Sequence, residues 1–446
     1  MIKKKGFKAA SLLMLCGLMI ALSACGSTKK NNVDKASTSP SVAASETPAP
    51  SESAPVKIIN VEFYGKIVEF SSTDAMMAEV KDELKDKYKI NDIQVDWGNL
   101  EKVVKTGIAS GTPADVYQFW PQAMKTFVDN GQALDLTPYL EADGGKWKDS
   151  FNQTLLDIGK YDGKYYNVPL ASNFSLMIVN KDLFEKAGLT VSDTWSWDQF
   201  MAANQALKDK AGTPFGFASH GNPDWLFRNG IMSLAKDQNK LEDLAAGKIA
   251  GNDPIYGTTL DNIKKLYDSQ LWYPGKGALT ATMDENKSAF LQGKVGIIGW
   301  VASDTAAFLK SAQEKGINAV VVGWPTMGSS DVILGGADGL FIPANAPHPE
   351  AAVEVLKTYL GDKVQAINAA AGYPTGNKNA VIEDPNIKKV VGLAAAIFPH
   401  ELEQLSPKLT DYVEKQILAN YVLGGSSLKD VASDLDKLIK EATAAK

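Results

Sequence analysis

Apolar residues fall into three regimes along the chain. From Ala9 to Leu22 they are almost continuous, including Leu12, Leu13, Met14, Leu15, Leu18, Met19 and Ile20. From Gly26 to Pro55 they are sparse. From Ile58 onward they recur with the periods of folded elements. Ile58 to Tyr64 alternates, which predicts a strand ending in aromatics. Asp74 to Tyr88 places Met76, Met77, Val80 and Leu84 at helical spacing. Ile93 to Trp97 reads as a second strand. Leu100 to Ser110 reads as a helix stopped by Gly111 and Pro113. Ala114 to Trp120 is a third strand, broken by Pro121. This alternation predicts an α/β fold with parallel strands. Ligands of such sheets sit beyond the carboxyl ends of the strands, where Tyr64 and Trp120 fall.

The first regime follows a basic start, Met1-Ile2-Lys3-Lys4-Lys5, and has the form of a secretory signal peptide. It is shorter than the roughly 20 apolar residues of a bilayer-spanning helix. Leu22-Ser23-Ala24-Cys25 resembles the lipobox of bacterial lipoproteins. The resemblance implies a cut after residue 24 and a diacylglyceryl thioether on Cys25; a cut elsewhere or an uncleaved anchor are the competing readings. Residues 25–55, rich in Ser, Thr, Pro, Ala and Asn, have little to bury and are expected to form a disordered tether. As a coil that tether spans about 30 Å. Folding on a partner is the competing reading.

Composition narrows the remainder. Val56 to Lys446 is too long for one ordinary core and predicts two domains. A net charge of −6 argues against a nucleic-acid partner. Once Cys16 is lost and Cys25 lipidated, no thiol is left for a disulfide, a metal site or a nucleophile. His220, His348 and His400 form no metal-ligand pair, Arg228 is the one arginine, and no cofactor is expected. There is no GxSxG, HExxH or phosphate loop. Nine tryptophans suit a binder of apolar ring faces, but also a large core.

Ordered segments then resemble the extracellular solute-binding proteins (family 1) of carbohydrate ABC transporters, the family that includes maltose-binding protein. They are Ala109-Ser110-Gly111-Thr112-Pro113-Ala114-Asp115-Val116, Gly131 to Leu140, Tyr161 to Pro169, Asn180 to Leu189 and Thr194 to Phe200. Phe290 to Trp300, Gly335 to Pro343, His348 to Ala352, Gly372-Tyr373-Pro374 and Ala419 to Leu435 follow in the family's order. The resemblance covers nearly the whole mature chain. It implies a two-lobe, periplasmic-binding-protein-like fold with a hinge and a ligand cleft between the lobes. The expected division is residues 56–168 and 326–374 in lobe 1, and 169–325 and 375–446 in lobe 2. The chain would cross near Asn167 to Ala171, near Val322 to Thr326, and after Tyr373.

Sugars present apolar CH faces to aromatic rings and hydroxyls to carboxylates and amides. The expected ligand residues are Trp120, Trp300, Asp338 in the Gly335 to Gly339 turn, Tyr64, Glu69, Asn173, Trp225 and Tyr373. Trp120 and Trp300 carry over from the resemblance, with a core or lobe-surface tryptophan as the competing reading; for the others an ordinary structural role competes as well. Trp147, Trp195, Trp197 and Trp324 read as structural. Arg228 could clamp an acidic sugar or pair with an internal acid. Where maltose-binding protein has a tyrosine before Asn-Lys-Asp-Leu, this chain has Val179, so maltose is not the assumed ligand. The function implied is a monomeric, lipid-anchored receptor on the outer face of a cell membrane, Gram-positive by its architecture. It would deliver a carbohydrate to an ABC permease without catalysis. The alternatives are a receptor of this fold for a non-sugar solute or for sensing, and a glycoside-active enzyme.

Overall fold

A computed structural model describes residues 58–67, 71–95, 97–235, 238–329 and 332–444. The expected signal peptide, Cys25, the tether and Glu69 lie outside the described residues. Eleven strands are present among them: β1 Ile59–Ile67, β2 Tyr88–Val95, β3 Val116–Phe119, β4 Lys160–Tyr161, β5 Lys164–Tyr165, β6 Val168–Asn180, β7 Phe217–Ala218, β8 Ile297–Val301, β9 Ala319–Val322, β10 Ile333–Phe341 and β11 Ile397–Phe398.

The N-terminal alternation is as the pattern predicts, with one shift. The first helix, Thr73–Leu84, ends earlier than expected, and Tyr88 begins β2 by pairing in parallel with Ile59. The Ile59 N–H already donates to the Lys87 carbonyl at 3.2 Å, which ends the helix by drawing the chain into the sheet. Trp97 opens the next helix, Trp97–Ala109, and does not close the strand. β1 pairs in parallel with both β2 and β3. The sheet as a whole is mixed: β10 is antiparallel to β3 and to β6. In the short β4–β5 hairpin, Asp162 (φ 49°) and Gly163 (φ 83°) supply the two left-handed residues that a two-residue turn needs.

Two strands join two half-sheets. The first half-sheet runs β2-β1-β3-β10-β6. Residues 168–174 of β6 pair with β10, while Ser175 to Val179 pair with β8 and Met177 to Asn180 pair with β9. β6 therefore leaves the first half-sheet and enters the second within one step, Phe174 to Ser175. β10 makes the return, pairing with β11 at Ile333 and Leu334 before reaching β6 and β3. The expected passage at Val322 to Thr326 lies just before β10 and has contacts of its own. The Trp197 N–H donates to the Thr326 carbonyl at 2.8 Å and Trp195 Nε1 donates to the Gly323 carbonyl at 2.9 Å, so that stretch stays on the second half. The Gly335 to Gly339 segment is likewise strand, not turn.

Each half-sheet has its own core. Val61, Phe63, Met76, Met77 and Val80 pack with Leu340 and Leu356 in the first lobe. Phe200, Phe217, Phe227, Tyr256 and Trp272 pack in the second. β6 is buried along both faces except at Asn173, and its Leu176 to Val179 stretch is accordingly apolar without alternation. Where β10 leaves β11 for the β6 ladder, the Leu334 N–H is met by a side chain. It donates to Asn229 Oδ1 at 3.0 Å. Asn229 sits on the buried face of the Asp224–Leu234 helix, and its Nδ2 donates to Ser175 Oγ and to the Trp225 carbonyl, both at 2.9 Å. One amide thus ties this helix to both crossing strands. Removing it strands a buried N–H, so Asn229→Ala is expected to destabilise the protein by about 2–4 kcal/mol in urea unfolding. An unchanged midpoint would show that the crossing does not depend on it.

Candidate functional site

Solvent reaches the crossing at one place. Every residue of β6 is buried except Asn173, and every residue of β10 except Gly335. In the ladder Asn173 faces Gly336 and Phe174 faces Gly335, so the two open positions are adjacent. Asn173 Nδ2 donates to Asp338 Oδ1 at 2.6 Å. Asp338 itself has no exposed surface. Its carboxylate therefore acts at the opening through the amide it orients. The glycines serve the chain's own packing. A Cβ on Gly335 (φ 151°) would lie 2.3 Å from Phe174 Cα, and one on Gly336 would lie 2.3 Å from Gln122 Cδ. Gln122 Oε1 accepts the Ala337 N–H at 3.2 Å. This bond pins the Trp120 to Ala123 turn to β10; Trp120 is half-buried, its ring against Phe119. Tyr64 is half-buried one strand away, its ring 5.4 Å from that of Tyr117. Burial first, and Glu62 second, raise its phenol.

The second lobe supplies Trp225, in the first turn of the helix that Asn229 anchors. Its indole is partly exposed and lies flat on His220, centroids 4.7 Å apart and planes 9° apart. Behind them is Trp300, with 0% exposure, edge-on to His220 at 4.9 Å and packed on Phe308. The half-open indole on this lobe is thus Trp225, and Trp300 supports it from the core. Burial pushes His220 down to about 4, so the ring is neutral and stacks without a charge to solvate. Trp324 completes the cluster.

The structure brings together Asn173 and Asp338, holds the turn that begins at Trp120 to the neighbouring Ala337 through Gln122, and ties the Trp225 carbonyl to the crossing through Asn229. Tyr373 is placed apart: it is 1% exposed in the first-lobe core, and its hydroxyl accepts the Ser71 N–H at 2.9 Å. Val179 is buried in β6, consistent with a site built elsewhere. Arg228 pairs internally. Its Nε and Nη2 donate to Glu401 at 2.8 Å, Nη2 lies 2.7 Å from Glu403, and Nη1 donates to Asp224 at 3.0 Å. Sequence reasoning missed Gln122, Asn229 and His220. For Asn229 there was a sign, a polar residue on the apolar stripe of Leu226, Phe227 and Ile231; for Gln122 there was none. Among the described residues no group of three or more His, Cys, Asp or Glu could hold a metal ion, and no helix is long and apolar enough to cross a membrane.

Residues 69–366 match the family described as bacterial extracellular solute-binding proteins, and the chain belongs to that family. A Brucella abortus (strain 2308) protein named as a binding protein is 27% identical over 272 residues, 59% of this chain and 62% of its own length. The arabinooligosaccharide-binding protein of Bacillus subtilis (strain 168) is 22% identical over 277 residues, 60% of this chain and 61% of its own. The chain thus aligns with about three fifths of the length of these relatives. A structure from work on xylan utilisation by Caldanaerobius polysaccharolyticus superposes with a TM-score of 0.73 at 21% identity, covering 85% of this chain and 100% of that one. At that identity the likeness establishes the two-lobe fold.

One group near the site gives a pH signature. Burial pushes Asp304 from 3.8 up to about 6, against a smaller opposing pull from Lys287. A carboxyl raised on folding supports the native state while protonated. Its contribution is full below pH 3.8 and is lost as the pH rises through about 6. Asp304→Asn is therefore expected to stabilise the protein by up to about 3 kcal/mol near pH 7.5 and to change little near pH 4. Equal shifts at both pH values in thermal unfolding would contradict this.

Proposed function

We propose that this protein is the lipid-anchored extracellular receptor of an ABC importer, binding a mono- or oligosaccharide in the cleft between its lobes and passing it to the membrane permease. The observation that carries the reading is the opening at Asn173 and Gly335 in the crossing ladder, with a partly exposed indole on each half of the molecule, Trp120 at the end of β3 and Trp225 on the helix that Asn229 anchors. Two partly exposed indoles suit the two faces of a sugar ring, and an amide oriented by a carboxylate suits its hydroxyls. The names of relatives point the same way, an arabinooligosaccharide-binding protein and a multiple sugar-binding protein of Streptococcus mutans among them. Trp120, Trp225, Asn173 and Asp338 form the proposed site, with Tyr64 at its margin, Trp300 as support, and Glu69 and Tyr373 as further candidates.

The lobes are proposed to part at the partner switch of β6 and at β10, with a third passage after Tyr373. Solute closes them by binding the closed arrangement better than the open one. Cys25 carries the lipid, and the following residues hold the receptor above the outer face of the membrane as a monomer. No catalytic step is part of the reading.

The test is calorimetric and fluorescence titration of the full chain in detergent with mono- and oligosaccharides, with each mixture checked for cleavage. One-to-one binding without product is expected, weakened about 10- to 100-fold by Trp120→Ala, as for loss of a buried aromatic contact. Unchanged affinity would remove Trp120 from the site. Cleavage would make the protein an enzyme, and silence across the panel would move the solute outside the sugars.

A further inference from the structure

Arg228 sits among more acids than one cation neutralises. Its Nε and Nη2 grip both oxygens of Glu401 at 2.8 Å, Nη2 lies 2.7 Å from Glu403, and Nη1 donates to Asp224 at 3.0 Å. The side chains of these three acids are only 5–7% exposed. Among the described residues, their ion pairs are all with Arg228. Glu414 stands further off, 3.8 Å from Nη1 and 38% exposed. The cations of the surrounding elements are turned to other acids. Lys415 pairs with Asp411, Lys240 with Asp253, and Lys408 with Glu441, which Lys437 also attends. Asp434 accepts the Tyr412 hydroxyl. Burial lowers His400 against the pull of Glu242 and Glu401, so it adds no cation near pH 7.

With all three buried acids ionised, the cluster would hold two more negative charges than positive. A buried carboxylate without a cation of its own takes up a proton instead. The geometry shows which one. Glu401 fills the guanidinium fork with both oxygens, the arrangement that keeps a carboxylate ionised. Asp224 has Nη1 and stands in the first turn of its helix, where the backbone N–H groups favour an anion. Glu403 is left to share a nitrogen that Glu401 already uses, and it hydrogen-bonds to Glu401 itself. Two carboxyls so close hold one proton between them. Burial raises Glu403 well above the usual carboxyl range against the pull of Arg228, and Glu401 adds to the rise. Burial raises Asp224 and Glu414 as well, again against Arg228.

We propose that Glu403 keeps its proton at neutral pH and donates it to Glu401, and that this one proton latches residues 401–416 to the helix that carries Trp225. As the pH rises and the proton leaves, two carboxylates face each other across Nη2, and the helix loses its hold on the closing segment. The sign follows from the direction of the shift. A carboxyl raised on folding supports the native state while protonated, so its contribution is full below pH 4.5 and is lost as the pH climbs towards the folded value. The latch belongs to the second lobe alone and does not depend on which solute the cleft takes.

The test uses the full chain in detergent, in an Asp304→Asn background that removes the raised carboxyl beside Trp300. Urea unfolding is followed from about pH 5 to about pH 9 for this parent and for Glu403→Gln, whose amide keeps a neutral donor towards Glu401. The parent is expected to lose ground to the variant as the pH rises, by up to about ten-fold in the folding equilibrium constant per pH unit, the slope of one released proton. Parallel profiles, a variant that loses ground as the pH rises, or one that does not fold at neutral pH would overturn the shared proton. Hydrogen exchange of the parent, corrected for the intrinsic effect of pH, tests the latch without a substitution at Glu403. Protection of residues 224–234 and 401–416 is expected to fall together by about ten-fold or more between about pH 7 and about pH 9, while β1 stays protected. Protection that holds level in either segment would overturn the latch.

Discussion

The β6–β10 ladder is the constraint on which the rest of the molecule depends. Buried backbone N–H and C=O groups must be paired, and a strand that changes sheets risks leaving some of them without partners. β6 solves this by switching neighbours between Phe174 and Ser175 with no loop between. β10 solves it with a borrowed side chain, the Asn229 amide that takes the Leu334 N–H. The two lobes are thus joined by ordered strands and one helix anchor, and the ladder opens to solvent only at Asn173 and Gly335.

The Asp224–Leu234 helix carries several duties as a consequence. Asn229 fastens it to the crossing, Trp225 projects from its first turn against His220, and Arg228 gathers Glu401 and Glu403 from the C-terminal segment. Breaking a buried ion cluster of this kind costs several kcal/mol because it leaves charges unpaired. The proposed solute wall and the closing segment of the chain are therefore mechanically one piece. In the first lobe the Gln122 bond to Ala337 has the matching effect, holding Trp120 to the same strand that bears Asp338.

Much of the fold was legible because local period and punctuation agree with the tertiary structure. Val61 and Phe63 alternate into the core, and Met76, Met77 and Val80 lie on one buried helix face. The crossing strands were less legible. Residues 168–180 are buried on both faces, so they lack the alternation that marks a strand. Trp324-Pro325 looked like a boundary, but the Trp195 and Thr326 contacts hold it to the second lobe. The glycines of 335–339 suggested a turn, whereas in a strand they mark close approach of other chain segments. At the site, residue type could indicate tryptophan but not depth. Trp300 and Trp225 look alike in sequence, and only packing puts one in the core and the other at the surface. Gln122 depends on a contact between distant segments, which no local pattern encodes.

The most direct test of the account is a crystal structure of the chain with its tightest-binding sugar. The account predicts density for the sugar between the half-sheets, against Trp120 on one lobe and Trp225 on the other, with Asn173 in hydrogen-bonding reach. Sugar bound away from the crossing, with Trp120 and Trp225 both untouched, would contradict it.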